Sequence, residues 1–248
     1  MIAFAHLRTR RVSVQLRELT LGEAEGICGI PGRMHEQVCT QFLRYVASSA
    51  TQPTPVFVTD PLLWTVEERL RVVTQYLSQV ADDGPDFSIG NQNFSTYVDL
   101  AADNYQAELD LGEVGGKALV IRPLLGVHAQ LLERLCEKRG DWIIGAMACQ
   151  VQERSEEASA AQLAVMDDVS SLAWIKDRIA AFKGMPESDA ERVHIAYMNR
   201  PELQQFFRLD FDNEGVICLP ADDKEAGADP ARFRAISCIS RTARSLFG

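Results

Sequence analysis

The stretch Trp64-Thr-Val-Glu-Glu-Arg-Leu-Arg-Val-Val-Thr-Gln-Tyr-Leu-Ser-Gln-Val-Ala-Asp-Asp-Gly-Pro-Asp-Phe-Ser-Ile-Gly90 decides how the rest of the chain is read. Thr65 is placed to cap a helix, and Glu68 stands three residues on, where a capping-box carboxylate reaches back. Val66, Leu70, Val73, Leu77 and Val80 then step by four, three, four and three, which draws one apolar stripe along a helix. Glu67 and Arg71 fall one turn apart and are expected to face solvent as an ion pair. Gly84 and Pro85 stop the helix. This reads as a core helix carrying no chemistry.

Working outward, Val12, Val14 and Leu16 alternate with Ser13, Gln15 and Arg17, the pattern of a short half-buried strand. Thr20 and Glu23 form a second capping box, opening a short helix with Leu21, Ala24 and Ile27 on one side. A longer helix is expected from about His35 to Ser49, with Val38, Phe42, Tyr45 and Val46 inward. Thr51 to Pro55 reads as a connection and Val56 to Val58 as a brief extended segment. Downstream of the Trp64 helix, Asp82, Asp83 and Asp86 read as a solvated turn, since their spacing misses the calcium-loop pattern. Phe87, Phe94 and Tyr97 fold that turn back onto the core.

Leu109 and Leu111, then Gly112, Gly115 and Gly116, then Ala118 to Ile121 predict a β-hairpin. It is not a phosphate loop: Leu111 stands where the first glycine belongs and Ala118 where the magnesium-binding hydroxyl belongs. A helix is expected over Leu124 to Lys138, with Gly140 past its end and Asp141 capping the next. That next segment, Trp142 to Cys149, is apolar nearly all round, and Gly145, Ala146 and Ala148 let another element approach closely. Glu153 to Ala161 reads as a helix tail or linker, dividing an N-terminal α+β domain, 1–152, from a C-terminal helical region, 153–248. Met166, Val169, Leu172, Ile175, Ile179 and Phe182 mark a long helix ended by Gly184. Ser188 and Glu191 open another helix, and Pro201 suits the start of one more. Phe207, Leu209 and Phe211 enter the turn Asp212 to Gly215, and Val216 to Leu219 return as a second hairpin. Asp222 to Ala228 reads as an acidic loop. Asp229-Pro230 is expected to begin a terminal helix with Phe233, Ile236, Ala243 and Leu246 on one face. The expected class is α+β, predominantly α-helical, with a short N-terminal strand and two β-hairpins.

The hydrophobic share of 46% and charged share of 24% fit a folded globular chain rather than a disordered one. No apolar run is long enough to cross a bilayer, and Ile2 to Phe4 is too short for a secretory core, so neither membrane nor export is expected. Six cysteines without an export signal read as reduced, mostly buried thiols. The formal net charge of −10 is uneven: residues 1–17 sum to +4 and residues 229–248 to +3, which leaves −17 between them. Arg8, Arg10, Arg11, Arg232, Arg234, Arg241 and Arg244 are therefore the candidate partner-binding residues. Their acidic counterpart is either this chain's own body or a neighbouring subunit. The acidic body disfavours nucleic acid.

Catalytic, cofactor and metal sites are not expected. His35-Glu-Gln-Val-Cys39 misses the zinc pattern, because Cys39 stands where the second histidine belongs. There is no C-x-x-C pair. Ser88 lacks the leading glycine of a nucleophile elbow. His6, His128 and His194 are isolated. The rival class is a small enzyme such as a cysteine-dependent hydrolase assembled from distant residues.

Leu19 to Pro31 (LTLGEAEGICGIP), Trp64 to Leu70 (WTVEERL), Asp83 to Gly90 (DGPDFSIG) and Pro230 to Ser240 (PARFRAISCIS) resemble tailed-bacteriophage tail and baseplate proteins of the small hub or tail-assembly type. The likeness touches both ends of the chain and leaves out the glycine-bearing hairpin. It implies a virion structural or assembly role without enzyme activity. It also implies other tail or baseplate proteins as partners within an oligomeric assembly, located in the virion tail or in the host cytoplasm during assembly.

Overall fold

The computed structural model describes residues 2–48, 58–99, 106–154, 160–200, 203–221 and 227–248. The expected connection at 51–55, most of the extended segment at 56–58, the centre of the linker at 153–161, the helix start at Pro201 and most of the loop at 222–228 lie outside the described residues.

The chain begins with an antiparallel pair, β1 (Leu7–Arg8) and β2 (Ser13–Leu16), with Leu7 opposite Val14. Val14 and Leu16 are buried while Ser13 and Gln15 are only half covered, as the alternation requires. Helix α1 (Leu21–Cys28) opens on the complete Thr20–Glu23 capping box; Ala24 and Ile27 are buried, but Leu21 is exposed. Helix α2 (His35–Val46) stops short of Ser49, because β3 (Ala47–Ser48) turns extended to pair with β2 and complete a three-stranded sheet.

A 3-10 turn over Pro61–Leu63 leads into α3 (Val66–Val80), whose Thr65–Glu68 capping box is also complete. The hairpin β4 (Ser88–Ile89) and β5 (Gln92–Asn93) follows, with Asp83 accepting the Ser88 N–H and Asp86 the Ser95 N–H. Both carboxylates are thus turn-makers. Phe87, Phe94 and Tyr97 are buried and pack edge-on against Phe233.

The first predicted hairpin is β6 (Leu109–Val114) and β7 (Lys117–Ile121), with a bulge between Asp110 and Gly112. Helix α4 (Gly126–Leu132) is shorter than expected, and α5 (Arg139–Gln150) begins early enough to take Gly140 into its first turn. The reason lies elsewhere in the chain: Asn213 Oδ1, in the turn between Asp212 and Gly215, accepts the Arg139 N–H at 2.9 Å and caps α5 in place of Asp141. Gly145 meets its expectation, since a Cβ there would lie 2.3 Å from Leu132 Cδ2.

After α5, β8 (Val151–Glu153) joins β7, giving the order β6-β7-β8. Next come α6 (Ala160–Leu163), α7 (Asp168–Lys183), capped by Asp167, and α8 (Glu187–Met198), which starts ahead of Ser188. The second hairpin is β9 (Arg208–Asp212) and β10 (Gly215–Leu219).

The expected long terminal helix is replaced by an extended run, a 3-10 turn over Ala235–Cys238, and the short α9 (Arg241–Phe247). Ala231 exchanges both backbone hydrogen bonds with Cys218 on β10, and Pro230 disfavours a helical residue before it. Phe233 therefore packs from an extended backbone, and Leu246 points to solvent.

The result is a predominantly helical α+β fold. Among the described residues no helix is long and apolar enough to cross a membrane. The apolar interior of the described residues forms two clusters. One gathers Phe42, Val73 and Tyr76 with Phe207, Phe233 and Ile239; the other gathers Val66, Ile121 and Trp142 with Ile175, Tyr197 and Phe211. Each draws on residues from both sides of position 152.

Candidate functional site

The first turn of α3 is the most heavily charged part of the interior. Glu67, Glu68 and Arg69 are all buried, so the expectation that Glu67 faces solvent is corrected. Glu67 instead holds the segment before β9. Its Oε1 accepts the N–H groups of Gln205, Phe206 and Phe207 at 2.9–3.0 Å, and Oε2 accepts Gln205 again at 3.0 Å. Burial pushes its carboxyl up to about 7, against the pull of those amides. Arg71 is half-buried, 5.9 Å from the Phe206 ring centroid rather than paired with Glu67. Glu68 accepts the Thr65 N–H at 2.8 Å and lies 3.9 Å from the Arg11 guanidinium.

Arg69 ties α3 to α2 and α4. Its Nη2 donates to the Glu36 carbonyl at 2.7 Å and to Thr40 Oγ1 at 2.9 Å, and its Nη1 lies 3.2 Å from Glu36 Oε2. Gly126 at the start of α4 admits it, since a Cβ there would sit 2.3 Å from Nη1. The Thr40 hydroxyl in turn donates to Gln130 Oε1 at 2.7 Å. The residue before α2 is Met34, which has no side-chain acceptor. Glu133 supplies that cap from α4's end, taking the Glu36 and Gln37 N–H groups at 2.7 and 2.8 Å. Burial, helped by Glu36, pushes Glu133 up to about 8.

Glu36 and Arg69 also line a narrow cleft of about 30 Å³, together with His35, Cys39 and Trp142. The β9–β10 turn and the extended C-terminal run form its rim. There Arg232 bonds Asp212 and donates to the Glu214 carbonyl at 2.7 Å, and Arg234 bonds Glu214 at 2.6 Å. The structure thus gathers His35, Glu36 and Cys39, the residues of the near-zinc pattern, around a guanidinium. Among the described residues no group of three potential ligands is placed to hold a metal. Burial pushes the Cys39 thiol up to about 11, with Arg69 pulling the other way, which leaves it protonated at neutral pH. Cys136 and Cys149 are pushed up to about 12, and Cys218 and Cys238 are raised as well, each chiefly by burial.

The seven arginines singled out by charge do not converge. Arg232 and Arg234 rim the cleft, as above. Arg11 donates to the Leu63 carbonyl at 2.7 Å. Arg241 stands 3.8 Å from Asp82 with both side chains almost fully in water, and Arg244 lies in the last turn of α9. Arg8 ends β1, Arg10 follows it, and both are engaged. Sequence reading missed Glu67, Arg69, Gln130 and Glu133, whose partners lie 29 to 140 residues away. The one available signal was three successive charged residues in the first turn of an amphipathic helix.

Further features lie along β7, α7 and α8. A groove of about 600 Å³ runs between the β7–β8 face and the end of α7, with Leu119, Val151, Phe182 and Met185 as its apolar floor and Lys117, Glu153 and Asp189 on its rim. Arg178 fixes its base by donating to the Ala148 and Val151 carbonyls at 2.8 and 2.9 Å, closing the end of α5. At the other end of α7, Val165 and Val169 are 85% and 79% exposed, with Met166 between them. Ile195 and Met198 are likewise exposed on α8. Between α4 and α7, His128 is fully buried, stacks 6.0 Å from Trp174, and has no hydrogen-bond partner among the described residues at either ring nitrogen.

No protein-family model matches the chain, and neither a curated protein nor a solved structure matches it.

Proposed function

We propose that the chain works through protein–protein contacts, as a structural or assembly component of a bacteriophage tail or baseplate. The tail assignment rests on the resemblance of residues 19–31, 64–70, 83–90 and 230–240. The contact mode rests chiefly on one observation: Val165, Met166 and Val169 leave apolar side chains in water around the start of α7. Isolated exposed apolar residues are ordinary, but a cluster within five positions is the pattern of a contact surface. The interior charges support the same reading, because Glu67, Glu68 and Glu133 are all spent on backbone N–H groups. The buried thiols are held protonated, which argues against the cysteine-hydrolase alternative.

The test is complementation of a phage lacking the gene. The full chain is expected to restore tailed particles in electron micrographs. A Val165→Asp/Val169→Asp double variant is expected to fail while keeping the parental unfolding midpoint. Full rescue by that variant would reject the surface, and normal tails in the deletion itself would reject the assignment.

A further inference from the structure

We propose that the exposed surface at the start of α7 receives α9 of a second copy of this chain. This rests on the contact surface described above and not on the tail assignment. Residues 165–169, Val-Met-Asp-Asp-Val, are all exposed, so two aspartates and no base stand among apolar side chains. Helix α9, Arg-Thr-Ala-Arg-Ser-Leu-Phe, presents the complement: two arginines and no acid, ending in Leu246, which is 62% exposed. Opposite charges set around apolar side chains are what the two faces of a polar-rimmed interface offer each other.

The chain's own α9 does not cover this surface, because Val165 and Val169 are exposed with α9 in place. Helix α9 packs on α1 and buries Ala243 there, whereas α7 packs on α4 and α5. Each surface has a local counter-ion: Arg134 lies 3.2 Å from Asp168, and Asp82 lies 3.8 Å from Arg241. Asp168 and Arg241 are 81% and 88% exposed, so little is lost when these pairs are exchanged for partners across an interface. Asp167 already caps α7 through Ser170 and contributes its charge rather than a new hydrogen bond. Nucleic acid or an anionic lipid surface would be repelled by the same two aspartates. The two surfaces differ, so the contact is heterologous, and each copy can both give an α9 and receive one.

The test is sedimentation of the purified full chain at about 0.1 M and about 1 M salt. At the lower salt the chain is expected to exceed monomer mass, and at the higher salt to move toward the monomer. Arg241→Glu/Arg244→Glu and Val165→Lys/Val169→Lys, all at exposed side chains, should each weaken association by about tenfold or more while keeping the parental unfolding midpoint. Mixed in equal amounts, the two variants should associate again, because one brings an intact α9 and the other an intact receiving surface. A parent that stays monomeric at about 0.1 M salt would overturn the proposal. So would undiminished association of the α9 variant, or a mixture that stays monomeric. If the parent is monomeric while Val165→Asp/Val169→Asp still fails in complementation, the surface takes a different protein, and this proposal falls without the reading above.

Discussion

Replacing Glu67 separates the two things its carboxylate does: accepting backbone protons and carrying a charge. Glu67→Ala removes the acceptor for three N–H groups, of which Phe207 belongs to a buried residue and Gln205 and Phe206 to half-buried ones. One fully desolvated orphan at about 1–3 kcal/mol and two partly hydrated ones at less give an expected loss of about 2–5 kcal/mol. Glu67→Gln keeps an amide oxygen where Oε1 accepts all three N–H groups and loses only the second, bifurcated contact to Gln205. It also removes the charge. Because burial raises the native carboxyl to about 7, above its ordinary 4.5, the folded chain takes up a proton that the unfolded chain lacks. This contribution is fully present below about pH 4.5 and is lost as pH rises through about 7. The shift is worth about 3 kcal/mol as an order of magnitude. Urea unfolding at pH 5, 6, 7 and 8 is the assay. Relative to the parent, the glutamine variant should gain stability steadily up to about pH 7 and then level off. A pH-independent difference between parent and glutamine variant would refute the buried charge, and an alanine loss under about 1 kcal/mol at pH 5 would refute the clamp.

Gly126→Ala drives a Cβ to 2.3 Å from Arg69 Nη1 in a filled interior and should cost about 1–3 kcal/mol, whereas Gly22→Ala on α1, with nothing within 4 Å, should be neutral or stabilising; thermal melts of the two compare them directly. His128 is pushed down to about 4 by burial, with Arg178 adding to it, so its neutral form stabilises the fold above pH 6.5 and that stability is lost as pH falls through about 4. His128→Leu should flatten unfolding free energy between about pH 4 and 6.5 relative to the parent, and an unchanged slope would count against an unpaired buried imidazole. Arg232→Ala, at a side chain 13% exposed and bonded to Asp212 and the Glu214 carbonyl, should cost about 1–3 kcal/mol. Arg241→Ala, whose partner Asp82 is 93% exposed, should cost under about 0.5 kcal/mol and less in high salt; equal losses for the two would overturn this ranking.

Where the information was local, the residues declared their structure. The Thr20–Glu23 and Thr65–Glu68 capping boxes form because a threonine and a glutamate three residues on need nothing beyond the turn they close, whereas Ser188 caps nothing, since α8 already begins at Glu187 after Pro186. Both predicted hairpins form because alternation and a turn lie within a dozen residues of each other. The α-rich α+β class follows from these pieces. Helix ends were legible only where the stop signal sat beside them. The ends that moved were set from afar: β3 draws Ala47 and Ser48 into the sheet, Asn213 fixes the start of α5, and β10 holds Ala231 extended where a helix was expected.

The charged interior belonged to tertiary structure altogether. Glu67 and Glu133 look like surface acids on helices, and a periodic pattern assigns every charge to water by default. Burial becomes tolerable only when a carboxylate finds several N–H groups, and those come from residues 205–207 and from the start of α2. The arginines show the reverse. Charge asymmetry was visible in the composition, but whether a guanidinium meets a carboxylate depends on distances of a few ångströms. Arg232 and Arg234 therefore fold against Asp212 and Glu214, while Arg241 stays in water. What a sequence alone determines here is the short-range hydrogen bonding and the periodicity of apolar side chains. Which polar groups are taken out of water, and what then satisfies them, is decided only when distant segments pack together.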